Sequence, residues 1–305
     1  MNWNSGDRLR RCLQSLPAGF EVVVVDNASD DWDRVGVSGH PITRNEAVPL
    51  DGHESPFMKI DNLSSCFSRA PQVIRNKRNE GFAVGANQGA SGCCREYLLF
   101  LNPDVWFESA ASADPMLLLL KEQLNVAAAT GRFIPPKSIS SEWRIGPFPD
   151  LIRPLPTLWS ALADILFLDE LSRKQKPRLS DMTPIEQAPG ACLLIRRSVF
   201  EELGGFDSRF YPAWFEDVDL CKRIRERGLQ ICWQPRSLFY HEGGYSAGQM
   251  SGAEFNRIFY GNMVRYFAKH HSATATAILR VAVPLGNVAR RLLRSFGHRA
   301  GGAEG

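Results

Sequence analysis

Phe20-Glu21-Val22-Val23-Val24-Val25 followed by Asp26-Asn27-Ala28-Ser29-Asp30-Asp31 is the stretch that decides the fold. Four consecutive valines form a continuous β-branched run, which predicts a strand buried on both faces, as in a parallel sheet covered by helices. The six residues after it are turn and cap formers, so the strand stops at Asp26 and Asn27. In an open parallel sheet, ligands bind beyond the carboxyl ends of the strands. Asp26 and Asn27 are therefore candidates for ligand contact, against the plainer reading of a turn or helix cap.

The pattern continues on both sides. Residues 7–16 place Leu9, Cys12, Leu13 and Leu16 on one helical face, with Ser5 before them as a cap. Further on come a strand at 72–75, a helix lined by Gly85, Ala86, Gly89 and Ala90, a strand at 97–101 ending in Asn102-Pro103-Asp104, a helix at 114–124 and a strand at 126–129. Alternation of this kind implies βαβ units and an α/β fold with a mostly parallel central sheet flanked by helices. In the second half, an apolar helix at 158–168, a strand at 192–195, a short helix at 198–203, an aromatic loop at 206–215, a charged helix at 217–227 closed by Gly228, and a strand at 229–233 are expected. Residues 32–70 have no period and read as a long excursion. The chain opens with Asn2-Trp3-Asn4 where a first buried strand should be ending, so that strand reads as truncated and the true start as lying upstream of Met1.

Composition narrows the classes. Hydrophobic residues at 44% and charged residues at 23% of 305 exclude a disordered chain, and 36 basic against 33 acidic residues give no reason for a nucleic-acid partner. The seven cysteines, odd in number and without C-x-x-C spacing, read as reduced thiols. The most apolar stretch, 273–289, is interrupted by Arg280 and Pro284, and the first eleven residues are polar, so a cytoplasmic protein, soluble or peripheral to a membrane, is expected.

Three further features carry chemistry. In Arg78-Asn79-Glu80-Gly81-Phe82 and onward, Gly81, Gly85 and Gly89 are four apart, which suits either close ligand approach or a small packing face, and is not a dinucleotide motif. Glu216-Asp217-Val218-Asp219 opens a helix. Acids there suit the helix dipole alone, but the aromatic approach Tyr211-Pro212-Ala213-Trp214-Phe215 sets a wall beside them. Asp217 is therefore the expected general base, with Glu216 orienting an acceptor. His241 precedes a Gly-rich turn.

Val24-Val25-Asp26-Asn27-Ala28-Ser29, Asn79-Glu80-Gly81-Phe82, Leu101-Asn102-Pro103-Asp104, Gly190-Ala191-Cys192 and Phe215-Glu216-Asp217-Val218-Asp219-Leu220 occur in that order. Together they resemble the signature blocks of inverting family-2 glycosyltransferases, which have the GT-A fold, and in particular the branch containing bacterial rhamnosyltransferases. The resemblance runs over about residues 2–250. It implies a nucleotide-sugar donor, with dTDP-rhamnose a candidate, held by Asn4, Asp26, Asn27, Asn79, Gly81 and Asn102. It also implies Mg²⁺ or Mn²⁺ on Asp104 with His241, Asn102 standing where the family commonly has a second carboxylate. A GT-A domain would span 1–250, its donor half 1–130 and its acceptor half 131–250, followed by a helical extension and basic tail at 251–305. The acceptor would be a glycan or lipid-linked glycan, reached in part through peripheral membrane contact by arginines 280–299 at the inner face. The competing readings are a catalytically inactive nucleotide-sugar-binding relative and a nucleotidyltransferase.

Overall fold

A computed structural model describes residues 1–17, 19–35, 71–136, 152–166, 182–244 and 248–300, without the side chains of 34 and 291–300. The excursion expected at 32–70 lies outside the described residues from 36 onward. The chain divides into two compact units, one of Met1–Pro154 with Arg178–Gln249, the other of Leu155–Pro177 with Met250–Gly305.

In the first unit, α1 (Gly6–Ser15) buries Leu9 and Cys12. Ser5 does not cap it; its hydroxyl donates to the Trp3 carbonyl, and the Gly6 amide donates instead to Asp31 Oδ2 at 2.8 Å. The carboxylate is the stronger acceptor for an orphan helix donor. The valine run forms β1 (Val23–Asn27), which pairs in parallel with β2 (Gln72–Asn76). Before β1 in sequence, Asn2 makes an isolated parallel bridge to Asp26: its amide donates to the Val25 carbonyl, and its own carbonyl accepts from the Asn27 amide. A one-turn 3₁₀ helix, Trp32–Arg34, follows β1. The small face of α2 (Phe82–Gly92) lets it settle on β1, since a Cβ on Gly89 would stand 3.4 Å from Val25.

The second sheet has six strands: β3 (Tyr97–Leu101), β4 (Val105–Phe107), β5 (Val126–Ile134), β6 (Thr183–Ile185), β7 (Cys192–Arg196) and β8 (Gln230–His241). Their order is β3-β7-β5-β8-β4, with β6 also on β8. The longest ladder, β5 with β8, is parallel; β3–β7, β5–β7, β4–β8 and β6–β8 are antiparallel. Helices α3 (Asp114–Glu122), α5 (Arg197–Glu202) and α6 (Glu216–Glu226) cover it, giving the expected α/β architecture. The central strands are apolar on both faces, Val126 to Ala129 and Cys192 to Ile195 being almost inaccessible. The second unit contains α4 (Leu158–Ile165), α7 (Gly252–His270) and α8 (Ala273–Ala300). A capping box at Thr157 and Ser160 starts α4, and Arg290 of α8 donates to the Asp164 and Ile165 carbonyls at its end.

The cysteines depart from expectation at one position. Cys94 is disulfide-bonded, whereas Cys12, Cys93, Cys192, Cys221 and Cys232 are free. Spacing alone does not show whether a given thiol is paired. Burial pushes the Cys12 and Cys221 thiols up to about 12, so both stay protonated as small apolar side chains.

Candidate active site

Asp26 and Asn27 end β1 fully buried. Asp26 Oδ1 accepts from Asn2 Nδ2 at 2.9 Å; its Oδ2 accepts from the Ser29 amide at 3.3 Å and from Arg75 Nε at 3.4 Å. The Arg75 guanidinium also lies 5.1 Å above the Trp32 ring. The Ser29 contact is the turn cap of the plainer reading, and it coexists with a cation at the same carboxylate. Asn4, held at φ +48°, closes the turn: its Oδ1 accepts from the Asp30 amide and its own amide donates to Ser29 Oγ, each at 2.8 Å.

Asn27 Nδ2 donates to the Gly81 carbonyl at 3.1 Å, which draws the start of α2 onto the end of β1. Asn79 Oδ1 accepts from the Gly81 amide at 2.9 Å. Gly81 sits at φ +84°, and a Cβ there would lie 2.8 Å from the Tyr211 ring and 2.9 Å from the Pro212 carbonyl. That carbonyl accepts from the Phe82 amide at 2.7 Å, and the Tyr211 hydroxyl donates to the Asn79 carbonyl at 3.0 Å. Only glycine meets both the backbone angle and the close approach. The first amide of α2 is thus given to the aromatic loop. The other end of that loop is fixed by Asn87, whose side chain accepts from the Phe206 amide and donates to the Phe206 carbonyl.

The loop enters α6 under strain. Trp214 and Phe215 have φ of +72° and +75°, a region that costs non-glycine residues about 1–3 kcal/mol each and gathers at functional sites. The strained turn presents two carboxyls in different settings. Asp217 Oδ2 accepts from the Gly190 amide at 2.9 Å and its Oδ1 from the Val218 amide at 2.8 Å. Burial raises its carboxyl above the ordinary value, while these two donors pull it back. Glu216 is buried, and its Oε2 has no hydrogen-bond partner among the described residues. Burial first, and the neighbouring Asp217 charge second, push it well above the ordinary value. Both carboxyls are thus raised, Glu216 the more strongly, while Asp217 alone receives the Gly190 and Val218 amides, which favour its charged form. Asp219 is occupied otherwise: it pairs with Arg223 at 2.7 Å, and Arg223 also donates to the Leu203 and Gly205 carbonyls.

Asp104 and His241 meet from opposite ends of the sequence. The ladder of β4 on β8 pairs Val105 with His241, and the Asp104 carbonyl accepts from the Glu242 amide. Their side chains approach to 3.6 Å, Oδ2 to Nε2, and both residues are 7% exposed. A carboxylate oxygen and an imidazole nitrogen suit Mn²⁺ or a similar divalent ion. Among the described residues no group of three His, Cys, Asp or Glu gathers, so two protein ligands fit such an ion only with other oxygens completing the shell.

These pieces adjoin. A Cβ on Gly190 would stand 3.4 Å from both Asp217 and the Phe82 ring, and the next carbonyl, that of Ala191, accepts from the Asn102 amide. The contacts recorded for Asn102 are of its backbone, to Ala191 and Val105. The structure therefore links the expected residues from Asp26 through Gly81, Gly190 and Asn102 to Asp104. Sequence reasoning missed Asn2, Asn76 and Arg75 beside Asp26 and Asn27, and Arg8 and Arg11, which both bind Glu242 next to His241. Gly190-Ala191-Cys192 was visible as a block, but nothing local in it reveals that its amide holds Asp217.

A mannosyltransferase from Pyrobaculum calidifontis, solved with GDP-Man and Mn²⁺, superposes with a TM-score of 0.51 over 96% of this chain and 73% of its own, at 14% identity. The chain has the GT-A fold. No family model matches it. Its curated relatives include glycosyltransferases: the pre-mycofactocin glycosyltransferase of Mycobacterium tuberculosis is 24% identical over 284 residues, 90% of this chain and 48% of that protein. The N-acetylglucosaminyl-diphospho-decaprenol L-rhamnosyltransferase of the same organism is 32% identical over 91 residues, 30% of this chain and 25% of that protein. The chain thus spans about half, or less, of the length of these relatives.

Proposed function

We propose that this chain transfers a sugar from a nucleoside-diphosphate sugar to an acceptor hydroxyl, with inversion, as a family-2 glycosyltransferase. The observation that carries the reading is the placement of Asp217. Its carboxylate is fixed by the Gly190 amide, one residue before the carbonyl that holds the loop of Asn102 and Asp104. A base anchored to the same turn as the phosphate-side loop is what a single displacement requires.

In this reading Asp26, Asn27, Asn4, Asn79, Gly81 and Asn102 surround the nucleoside and its phosphates. Asp104 and His241 would hold Mg²⁺ or Mn²⁺, which supplies charge neutralisation for the departing diphosphate. The acceptor hydroxyl lies against the Tyr211–Phe215 loop, aligned by the carboxyl of Glu216. Asp217 takes its proton as the oxygen attacks the anomeric carbon. The bond to the diphosphate breaks on the opposite face with its electron pair passing to the phosphate, so the configuration inverts without a covalent enzyme intermediate. Domain roles follow: donor binding by 1–130, acceptor binding and the base by 131–250, and an extension at 251–305.

The rhamnosyltransferase homologue makes dTDP-rhamnose the first donor to test, with a glycan or lipid-linked glycan as acceptor. A panel of dTDP-, UDP- and GDP-sugars with Mn²⁺ should contain one that raises the melting temperature and is consumed with release of its nucleoside diphosphate. A saturating donor, at a hundred times its Kd, adds about 2.7 kcal/mol. Stabilisation without consumption would establish the binding-only relative instead, and no stabilisation by any donor would end the reading.

A further inference from the structure

Exposed apolar side chains gather in the smaller unit. Of the eleven large hydrophobic residues exposed in the described structure, six belong to it: Trp159, Leu166, Ile278, Val281, Leu285 and Val288. The last four fall at spacings of three, four and three along α8, so they make one stripe on one face of that helix. They are between 41% and 64% exposed, whereas Leu279, next to the stripe, is wholly buried. Trp159 on α4, the helix that α8 packs against, is 80% exposed.

Charge accompanies the stripe. All 28 residues of α8 include five arginines and no acidic residue. Between α7 and α8 a cavity of about 760 Å³ opens, lined on its apolar side by Val264, Val283 and Pro284 and at its polar side by Arg257, Arg280 and Glu254. Arg257 and Arg280 are exposed and make no hydrogen bond or ion pair among the described residues. Asn287 of the same lining has its Oδ1 buried without a partner.

We infer that α7 and α8 form a docking surface for an anionic lipid bilayer, the α8 stripe entering the acyl boundary and Arg257 and Arg280 receiving lipid phosphates in the groove. Three features select this occupant. An apolar stripe on a helix whose sequence carries arginines and no acid is the composition of a helix lying in a membrane interface. The absence of any acid from α8 opposes pairing with a second copy, which would set like charges side by side. No helix among the described residues is long and apolar enough to cross a membrane, so the stripe serves attachment in the plane of the bilayer. The inference goes beyond the transfer reaction, and its test does not use that reaction.

The whole chain is sedimented with phosphatidylcholine vesicles, with and without phosphatidylglycerol, at low salt. It should bind both, and the anionic ones more tightly. Val281→Ser combined with Leu285→Ser should weaken binding to both by about tenfold or more. Arg257→Gln combined with Arg280→Gln should remove only the phosphatidylglycerol increment, about fivefold for each arginine. All four positions are exposed, so thermal unfolding should match the parent. Failure of the parent to bind at low salt, or parent-like binding by the serine variant, overturns the inference. So does stronger displacement by inorganic phosphate than by chloride of equal ionic strength, which would make the groove a site for free phosphate. A parent dimer that the serine variant dissociates would instead assign the stripe to a second copy.

Discussion

Asp217→Asn separates the proposed base from a merely structural carboxylate, because its energetic terms can be signed from the contacts. Asp217 accepts two backbone donors, from Gly190 and Val218. An asparagine oxygen can keep one of them, while its amide group turns toward the other and cannot accept from it. Losing one charge-assisted bond costs about 1.5–3 kcal/mol. Against this, the folded protein holds the Asp217 carboxyl above its ordinary value through burial, so removing the charge returns stability at neutral pH. The two terms oppose, and the net change should stay within about 2 kcal/mol. At roughly 2–4 °C per kcal/mol, the melting temperature should move by no more than about 8 °C. Turnover, by contrast, should fall by about 10² to 10⁴ for loss of a general base. Initial rates of nucleoside-diphosphate release, measured beside donor-induced thermal shifts, read both quantities. Turnover within about tenfold of the parent would move the base elsewhere, with Glu216 the nearest carboxyl. A collapse of folding would show that Asp217 serves as a staple for α6.

Asp104→Ala should abolish transfer while leaving the chain folded, and activity in EDTA equal to that in Mn²⁺ would remove the metal assignment. Gly81→Ala forces φ +84° on a side-chain-bearing residue and drives a Cβ to 2.9 Å from the Pro212 carbonyl; it should cost about 2–4 kcal/mol, and an unchanged melting temperature would contradict the close approach. For Glu216→Gln the expectation depends on pH. The Glu216 carboxyl is raised above 4.5 in the folded chain, so the folded state holds the proton longer and the parent loses stability as pH climbs from that value through the folded one. The glutamine variant should match the parent below about pH 4.5 and exceed it at neutral pH; equal unfolding curves across that range would mean that Glu216 is not desolvated.

How much was legible depended on whether the signal was local. The strand at 97–101 and the start of that at 192 were readable as short leucine-rich runs of strand length, and the start of that at 126 as a short apolar run following a helix. Gly228 closes α6 in the left-handed conformation expected of it. The last strand was expected at 229–233, yet β8 spans Gln230–His241, running on past Pro235. The β5–β8 register slips between Gly131 and Arg132, where the partner jumps from Gln234 to Leu238. A bulge absorbs the residue that cannot donate. Thr183–Ile185 and Val105–Phe107 were missed, each being three residues long and defined only by a partner distant in sequence. The site followed the same rule: the acids could be named from motifs and Asp219 with Arg223 is an i,i+4 pair of the expected helix, but the Gly190 amide at Asp217 exists only in three dimensions.

The aromatic loop is fastened at discrete points: Asn87 grips Phe206, the Pro212 carbonyl receives the Phe82 amide, Tyr211 reaches Asn79, and Gly190 holds Asp217. Apart from Tyr211, whose hydroxyl makes one of these contacts, and Asp217, which is held through its carboxylate beyond the loop, the fastenings use backbone groups on the loop side, and backbone groups do not change with sequence. The side chains of Asp207, Ser208 and Arg209, and of Ala213 and Trp214, can therefore vary without removing any of those backbone bonds. A homologue's loop of the same length could be grafted between Phe206 and Phe215, with Tyr211-Pro212 retained and the rest of the chain left as it is. For a protein engineer this makes the segment an exchangeable cassette.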